Sequence, residues 1–413
     1  MAALALGGGY LLASSDDVDL CPRATDRVTE AWGSRRAKLQ AQFEASKLPY
    51  SMQAHATVAK TLDTYTDQWL EGHLDACEDT RVRGEFSQAM LDQRMVCLQS
   101  RLDEVHALVD VMVEADDRTI EKAVVAAETL PSIGRCSNIA AMQAKTLNLP
   151  DPESAELRTR LRPQFDRAHA LDRLGHDAEA REIYEEVEPE VFASKDRSLH
   201  AHYRRLLAGV LHTLGEDEQA ENIYFAALAD AAASGDAEEL ARIALGFLDL
   251  RSTYQSDIQA LDRWHQVAQG ALVRHGTDDD LEMYLIRRYG SALRRLGDNH
   301  RALAAHRKAL EMHTELVGPL HYNTLAVRYN LGSVYWQLGR YDEAEAEFDF
   351  VVPRWPDRIG KTHPVAITVF NGRGVMAMAR GRYSDAIADF EDALERKVEL
   401  RGEDHRSTDD SRE

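Results

Sequence analysis

Three sets of residues in this 413-residue chain have the types and spacing to do chemistry: four cysteines, a ladder of histidines and a band of arginines. The cysteines, Cys21, Cys77, Cys97 and Cys136, all lie in the first third. No two stand at the two-to-four-residue spacing of a zinc site, so metal ligation is not expected. They are either two disulfides or four buried thiols of a cytosolic protein. His321, His363 and His405 recur every 42 residues. One helix pair apart, about 10 Å, they cannot share an ion and are expected to cap or brace loops. His200 and His202 are two apart on a helix and do not face each other. Gly7-Gly8-Gly9 lacks the Lys-Ser/Thr and the preceding strand of a phosphate loop. Ser or Cys nucleophiles with a partner His have no local signature here, and acidic residues lie on every helix face. Neither a catalytic residue nor a cofactor is therefore expected, and the chain reads as a non-enzyme.

The elements that must position these residues are helices. Ala, Leu, Glu and Arg dominate, prolines number 11, and 44% of residues are hydrophobic, which is an all-α composition for a folded chain. The formal net charge of −21 repels phosphate backbones and argues against nucleic-acid binding. Ala2 to Ala13 is apolar and runs straight into Ser14-Ser15-Asp16-Asp17. It is too short to span a membrane and has no basic n-region, so residues 1–19 are expected to be the stub of a membrane helix or an apolar tail.

Residues 20–150 read as helical hairpins. Val28, Trp32, Leu39 and Phe43 share one helical face over about 23–47, and Val58, Leu62, Tyr65 and Trp69 share another over about 51–77. Further helices are expected over about 87–115 and 118–130, with Asp116-Asp117 at the turn and a short helix near Cys136. In an antiparallel hairpin, residues equidistant from the turn become neighbours. Pro49 lies 28 residues from both Cys21 and Cys77, and the midpoint of Cys97 and Cys136 falls on Asp116-Asp117. Read as disulfides, the spacing favours Cys21–Cys77 and Cys97–Cys136.

Periodicity organises the rest of the chain. Gly297, Gly339 and Gly381 are 42 apart, each followed five residues later by Ala302, Ala344 and Ala386. Nine residues after each glycine stand His306, Phe348 and Phe390, and seven before it Gly290, Gly332 and Gly374. The inter-unit stretches GPLHYNT, GKTHPVAIT and GEDHRST repeat at the same step. LGHDAEAREIY around Gly175 and LGEDEQAENIY around Gly215 keep the frame, and a degenerate unit centres on Gln255. That gives about six helix pairs over 160–400, followed by a charged tail, 401–413. Such pairs cannot bury an apolar face alone and must stack.

This small–Tyr/Leu–Gly–Ala–aromatic–Ala pattern resembles the tetratricopeptide repeat, in the 42-residue form of kinesin light chains with its G-x-x-H loop. The resemblance implies a right-handed α-solenoid whose concave groove, lined by the first helix of each pair, takes a protein or peptide partner. Implied groove residues are Tyr284, Arg287, Arg288, Ser291, Arg294 and Arg295 on one unit, and Tyr329, Asn330, Ser333 and Trp336 on the next. Asn371 and Met378 follow on the third, and His202, Arg205 and His212 belong to an early unit. Arginines in an acidic chain suit an acidic or carboxylate-terminated ligand. The whole chain, with RGEFSQAMLDQRMVCL in its cysteine-bearing part, also resembles the extracytoplasmic half of bacterial membrane-anchored serine/threonine kinases. The kinase motifs themselves are absent here. That resemblance implies a sensor or regulatory ectodomain, possible membrane attachment through the N-terminus and an extracytoplasmic bacterial location, the alternative being a cytoplasmic scaffold.

Overall fold

The computed structural model describes residues 21–22, 24–114, 116–146, 151–253, 257–276 and 279–401. Residues 1–19, Gln255, Gly402 and His405, and with them the stub and nearly all of the tail, lie outside the described residues. Among those described, every regular element is a helix and none is long and apolar enough to cross a membrane.

The N-terminal helices are α1 (Thr25–Ala31), α2 (Arg36–Ala45), α3 (Ser51–Arg81), α4 (Gln88–Met112), α5 (Asp117–Glu128) and α6 (Ile139–Thr146). The single helix expected over 23–47 is instead two, broken at Trp32 and a 3₁₀ turn over Gly33–Arg35. Trp32 is 2% exposed and donates its indole N–H to Asp63 (2.7 Å), so seating this ring bends the chain. Leu39, Phe43, Val58, Leu62 and Trp69 are wholly buried on the faces read from their spacing. Ser87 and Asp116 cap α4 and α5 by accepting from Met90 and Thr119 backbone N–H groups. Cys21 is joined to Cys77 and Cys97 to Cys136, with Cα–Cα distances of 5.7 and 5.5 Å. Cross-links closing loops of 56 and 39 residues contribute roughly 4 kcal/mol each by restricting the unfolded chain.

Six helix pairs follow: α7/α8 (Pro152–Arg173, Asp177–Ala193), α9/α10 (Arg197–Thr213, Asp217–Ser234) and α11/α12 (Ala237–Thr253, Ile258–His275). The later three are α13/α14 (Asp279–Arg295, Asn299–Leu316), α15/α16 (Tyr322–Gln337, Tyr341–Ile359) and α17/α18 (Pro364–Ala379, Tyr383–Arg401). The array thus begins at Pro152, where Asp151 caps α7, rather than at 160. Each repeated residue has a mechanical job. Gly297, Gly339 and Gly381 turn the chain at φ +83°, +72° and +72°, a left-handed conformation that a side chain resists. Gly290, Gly332 and Gly374 lie against His306, Phe348 and Phe390, so close that a Cβ at Gly374 would sit 2.7 Å from the Phe390 ring. Ala302 and Ala344 are fully buried where paired helices cross.

His306 departs from this scheme. It occupies an aromatic position, is 0% exposed, and neither ring nitrogen has a hydrogen-bond partner. Burial, with Arg294 and Arg287 adding to it, pushes its pKa down to about 3. Burial likewise holds His313 and His321 down to about 4. Asp166 and Asp172, raised to about 7 by burial, work in the opposite sense on stability.

One hydrophobic cluster runs from the N-terminal helices into the early units and also takes in Leu325, Trp355, Ile359 and Ile367 of the late ones. The N-terminal helices therefore touch both ends of the array, which curls round them.

Gly374→Ala is expected to lower unfolding free energy by about 1–3 kcal/mol through overpacking. His306→Phe is expected to raise it by about 1–2 kcal/mol by removing unpaired buried nitrogens. Urea titration measures both. A histidine neutral in the fold binds fewer protons than in the unfolded chain below its ordinary pKa of about 6.5, so its contribution is lost as pH falls from there towards its folded value. The His306→Phe advantage should accordingly widen between pH 6.5 and 4 and be smallest at pH 7.5 and above.

Candidate functional site

The A helices of the last three units carry a graded strip of side chains. At one level it reads Arg287, Tyr329, Asn371; at the adjacent position Arg288, Asn330, Gly372; nearer the helix ends Arg294, Trp336, Met378. The 42-residue step stacks these positions one above another, so α13 contributes cations, α15 rings and an amide, and α17 an amide and a thioether.

On α13 the guanidiniums divide into two kinds. Arg288 pairs with Asp249 of α11 at 2.9 Å. Arg287, Arg294 and Arg295 have no ion-pair partner among the described residues, and the buried Nε atoms of Arg287 and Arg294 have no hydrogen-bond acceptor. Arg287 lies 5.3 Å from the Tyr284 ring centroid, a cation–π contact. Its pKa is pushed down to about 10, first by burial and then by Arg288 beside it. Burial, with Arg295 beside it, lowers Arg294, and burial lowers Arg295. A charge held where its own ionisation is disfavoured, without a counter-ion, is a local electrostatic imbalance that a bound anion would relieve.

Other residues of the strip have structural duties as well. Tyr329 packs edge-on against Phe348 at 5.5 Å and is near Trp355, bracing α15 against α16. Asn330 reaches Ser291 at 3.5 Å. Asn371 is half-buried, while Trp336 is 37% and Met378 49% exposed, large apolar surfaces turned to solvent. In the early unit the corresponding side chains are occupied: Glu239 takes His202 at 2.7 Å and Arg205 at 2.6 Å, and His212 meets Asp217 at 2.6 Å. The same residue types thus do different work at the two ends of the array. Within the strip, the unmet donors are the Nε atoms of Arg287 and Arg294 on α13.

The loop histidines cap helices. His321 Nδ1 accepts from Asn323 N–H (3.2 Å) and His363 Nδ1 from Val365 N–H (3.1 Å). Each offers its other nitrogen to the N-terminal helices: His321 Nε2 donates to the Glu128 carbonyl (2.9 Å), and His363 Nε2 to that of Glu121 (3.0 Å). The Glu128 carboxylate, 2% exposed, accepts from Tyr322 N–H at 2.6 Å and pairs with Arg358. Sequence reasoning missed Glu128: it is one of 70 acidic residues, and nothing in its spacing sets it apart. It also missed that the chain's own N-terminal helices hold the inter-unit loops at His321 and His363. No group of three or more potential metal ligands occurs among the described residues.

Comparison with known proteins agrees with the geometry of the pairs. Residues 280–349 and 367–407 each match a tetratricopeptide repeat family model. Among curated proteins nothing matches. A solved structure, BtubC (BKLC) from P. vanneervenii, is 17% identical, covering 65% of this chain and 91% of that one at a TM-score of 0.34. With stacked helix pairs, turn glycines in register and two matched stretches of repeat, the chain carries tetratricopeptide repeats over residues 280–349 and 367–407.

Proposed function

We propose that this chain is a non-catalytic interaction scaffold, and that the strip on α13, α15 and α17 receives an acidic or carboxylate-terminated segment of a partner protein. One observation carries the reading. In a chain of net charge −21, three neighbouring arginines stand without a carboxylate partner among the described residues. Acidic residues are plentiful enough that surface arginines mostly find one, as Arg340, Arg373 and Arg396 do. The exposed Trp336 and Met378 extend the strip with apolar surface, which suits a segment carrying bulky side chains beside its charges.

The two disulfides support a second reading of where the scaffold works. Such cross-links persist in oxidising compartments, which fits an extracytoplasmic sensor or regulatory part of a membrane-anchored serine/threonine kinase, attached through its N-terminus. An upstream reading frame encoding a membrane helix and a kinase domain would support it; an in-frame stop directly upstream would end it.

Binding is tested with a fluorescently labelled glutamate-rich peptide and the full chain. Because charge-assisted hydrogen bonds contribute about 1.5–3 kcal/mol, each of Arg287→Glu and Arg294→Glu should weaken binding by about tenfold or more, with unchanged helical circular dichroism. Wild-type affinity in both variants would remove the strip as the binding site.

A further inference from the structure

The N-terminal helices pack on the array through α4 against α7 and α3 against α16, while α5 is held by hydrogen bonds on both flanks. On one flank stands the first unit. Arg118 donates to the Gly175 carbonyl at 3.1 Å, Thr119 Oγ1 pairs with His176 Nε2 at 2.8 Å, and Arg173 donates to the Ala126 carbonyl at 2.6 Å. On the other flank stand the fifth and sixth units, through His321, Tyr322, Arg358 and His363. Nearby, the start of α3 joins the same closure. Gln53 and Thr57 donate to the carbonyls of Asp357 and Arg358, each at 2.5 Å, and Tyr50 packs on His363 with ring centroids 5.0 Å apart.

The grip on α5 depends on a match of lengths. Glu121 and Glu128 are seven residues apart on one helix, a rise of about 10.5 Å. His321 and His363 are one repeat apart, a step of about 10 Å between packed pairs. Two turns of α5 therefore span one unit, and successive loops seize the same straight helix. Across α5, the early and late units face each other over a cleft of about 740 Å³, lined by Gly175 and Thr213 on one side, Pro364 and Leu400 on the other, and Arg118 and Lys122 of α5 between. Closure of the array thus runs through the N-terminal helices rather than through direct packing of its two ends at this place.

Within that closure Glu128 stands apart. Its carboxylate is buried, and it is held from the fifth unit by two groups: the Tyr322 N–H, one of the free donors at the start of α15, and Arg358 at the end of α16. The positive end of the α15 dipole favours a charge at this spot. Arg358 Nε is itself buried without a partner, so this guanidinium relies on Glu128. The arginine strip is close by: Arg287 contributes to the depressed pKa of His321, the histidine that holds the Glu128 carbonyl.

We propose that α5 is a clasp and Glu128 its catch: with the carboxylate seated on α15 and Arg358 the array stays closed round the N-terminal helices, and unseating it lets the fifth and sixth units move outward and widens access to the α13 arginines. Only the consequence for ligand access rests on those arginines being a binding site. The clasp itself concerns the chain's own shape.

The test uses the full chain with Glu128→Gln, which keeps size and removes charge, and with Arg358→Gln, which empties the catch from the other side. Small-angle scattering and hydrogen exchange are read for each. Both variants should keep helical circular dichroism, show a larger radius of gyration, and exchange the amides of residues 322–325 and 365–366 about tenfold faster, while amides of α4 stay as in the wild type. The glutamate-rich peptide should bind the opened variants more tightly. Wild-type dimensions and exchange in both variants would overturn the clasp. If Glu128→Gln fails to fold, Arg358→Gln decides the matter by the same readouts. Altered scattering and exchange with no peptide binding in any form would keep the clasp and discard the binding site.

Discussion

A two-helix unit of this kind has an apolar face on each side and can hide neither by itself. The rest of the structure is arranged around that constraint. Within each pair it is met by close approach: the glycines at 290, 332 and 374 let the ring at 306, 348 or 390 of the partner helix lie directly on a backbone, and the alanines at 302 and 344 vanish from the surface altogether. At α7, the end of α16 and the loops before α15 and α17, it is met by the N-terminal helices. Their core is continuous with the early units and with Trp355, Ile359 and Ile367 near the other end. Two disulfides then stiffen the hairpins that do this filling.

The polar groups follow from the same arrangement. Packing helices closely brings charged residues into low-dielectric surroundings, where each must find a counterpart or remain a liability. Glu239 shows the first outcome: burial pushes its carboxyl up, but Arg205 and His202 hold it well below the ordinary carboxylate range. Glu128 shows it across the boundary between the N-terminal helices and the fifth unit. Arg287, Arg294 and the imidazole of His306 show the second, clustered on one unit with donors unmet. Among the described residues, Arg287 and Arg294 stand without an ion-pair partner, whereas Arg340, Arg373 and Arg396 each have one.

Much of this was legible in the sequence, and the reason is period. A residue that recurs every 42 positions reports a contact made again in each unit, so the turn glycines, the approach glycines and the capping histidines could be assigned work before any coordinates. Helical spacing likewise exposed the buried faces of α3 and the pairs beside Trp69. What spacing could not convey is which foreign surface an apolar face will meet. Val58 and Leu62 say that α3 is buried on one side; nothing in them says that the start of that helix ends against Asp357 and Arg358, some 300 positions away. The second nitrogen of His321 and the carboxylate of Glu128 were invisible for the same reason, since each is defined by a partner outside the repeat. The break at Trp32 escaped because a single ring seeking Asp63 overrode a pattern that otherwise continued.

One hydrophobic cluster joins the N-terminal helices to the early units and to α16, so the account predicts that they unfold together. Urea unfolding followed by pulsed hydrogen exchange, with peptides from α4 and α16 read side by side in the oxidised full chain, addresses this most directly. A common midpoint for the two helices is the predicted result. Loss of protection in α16 at clearly lower urea than in α4, with the N-terminal hairpins remaining folded, would show two independent bodies and contradict it.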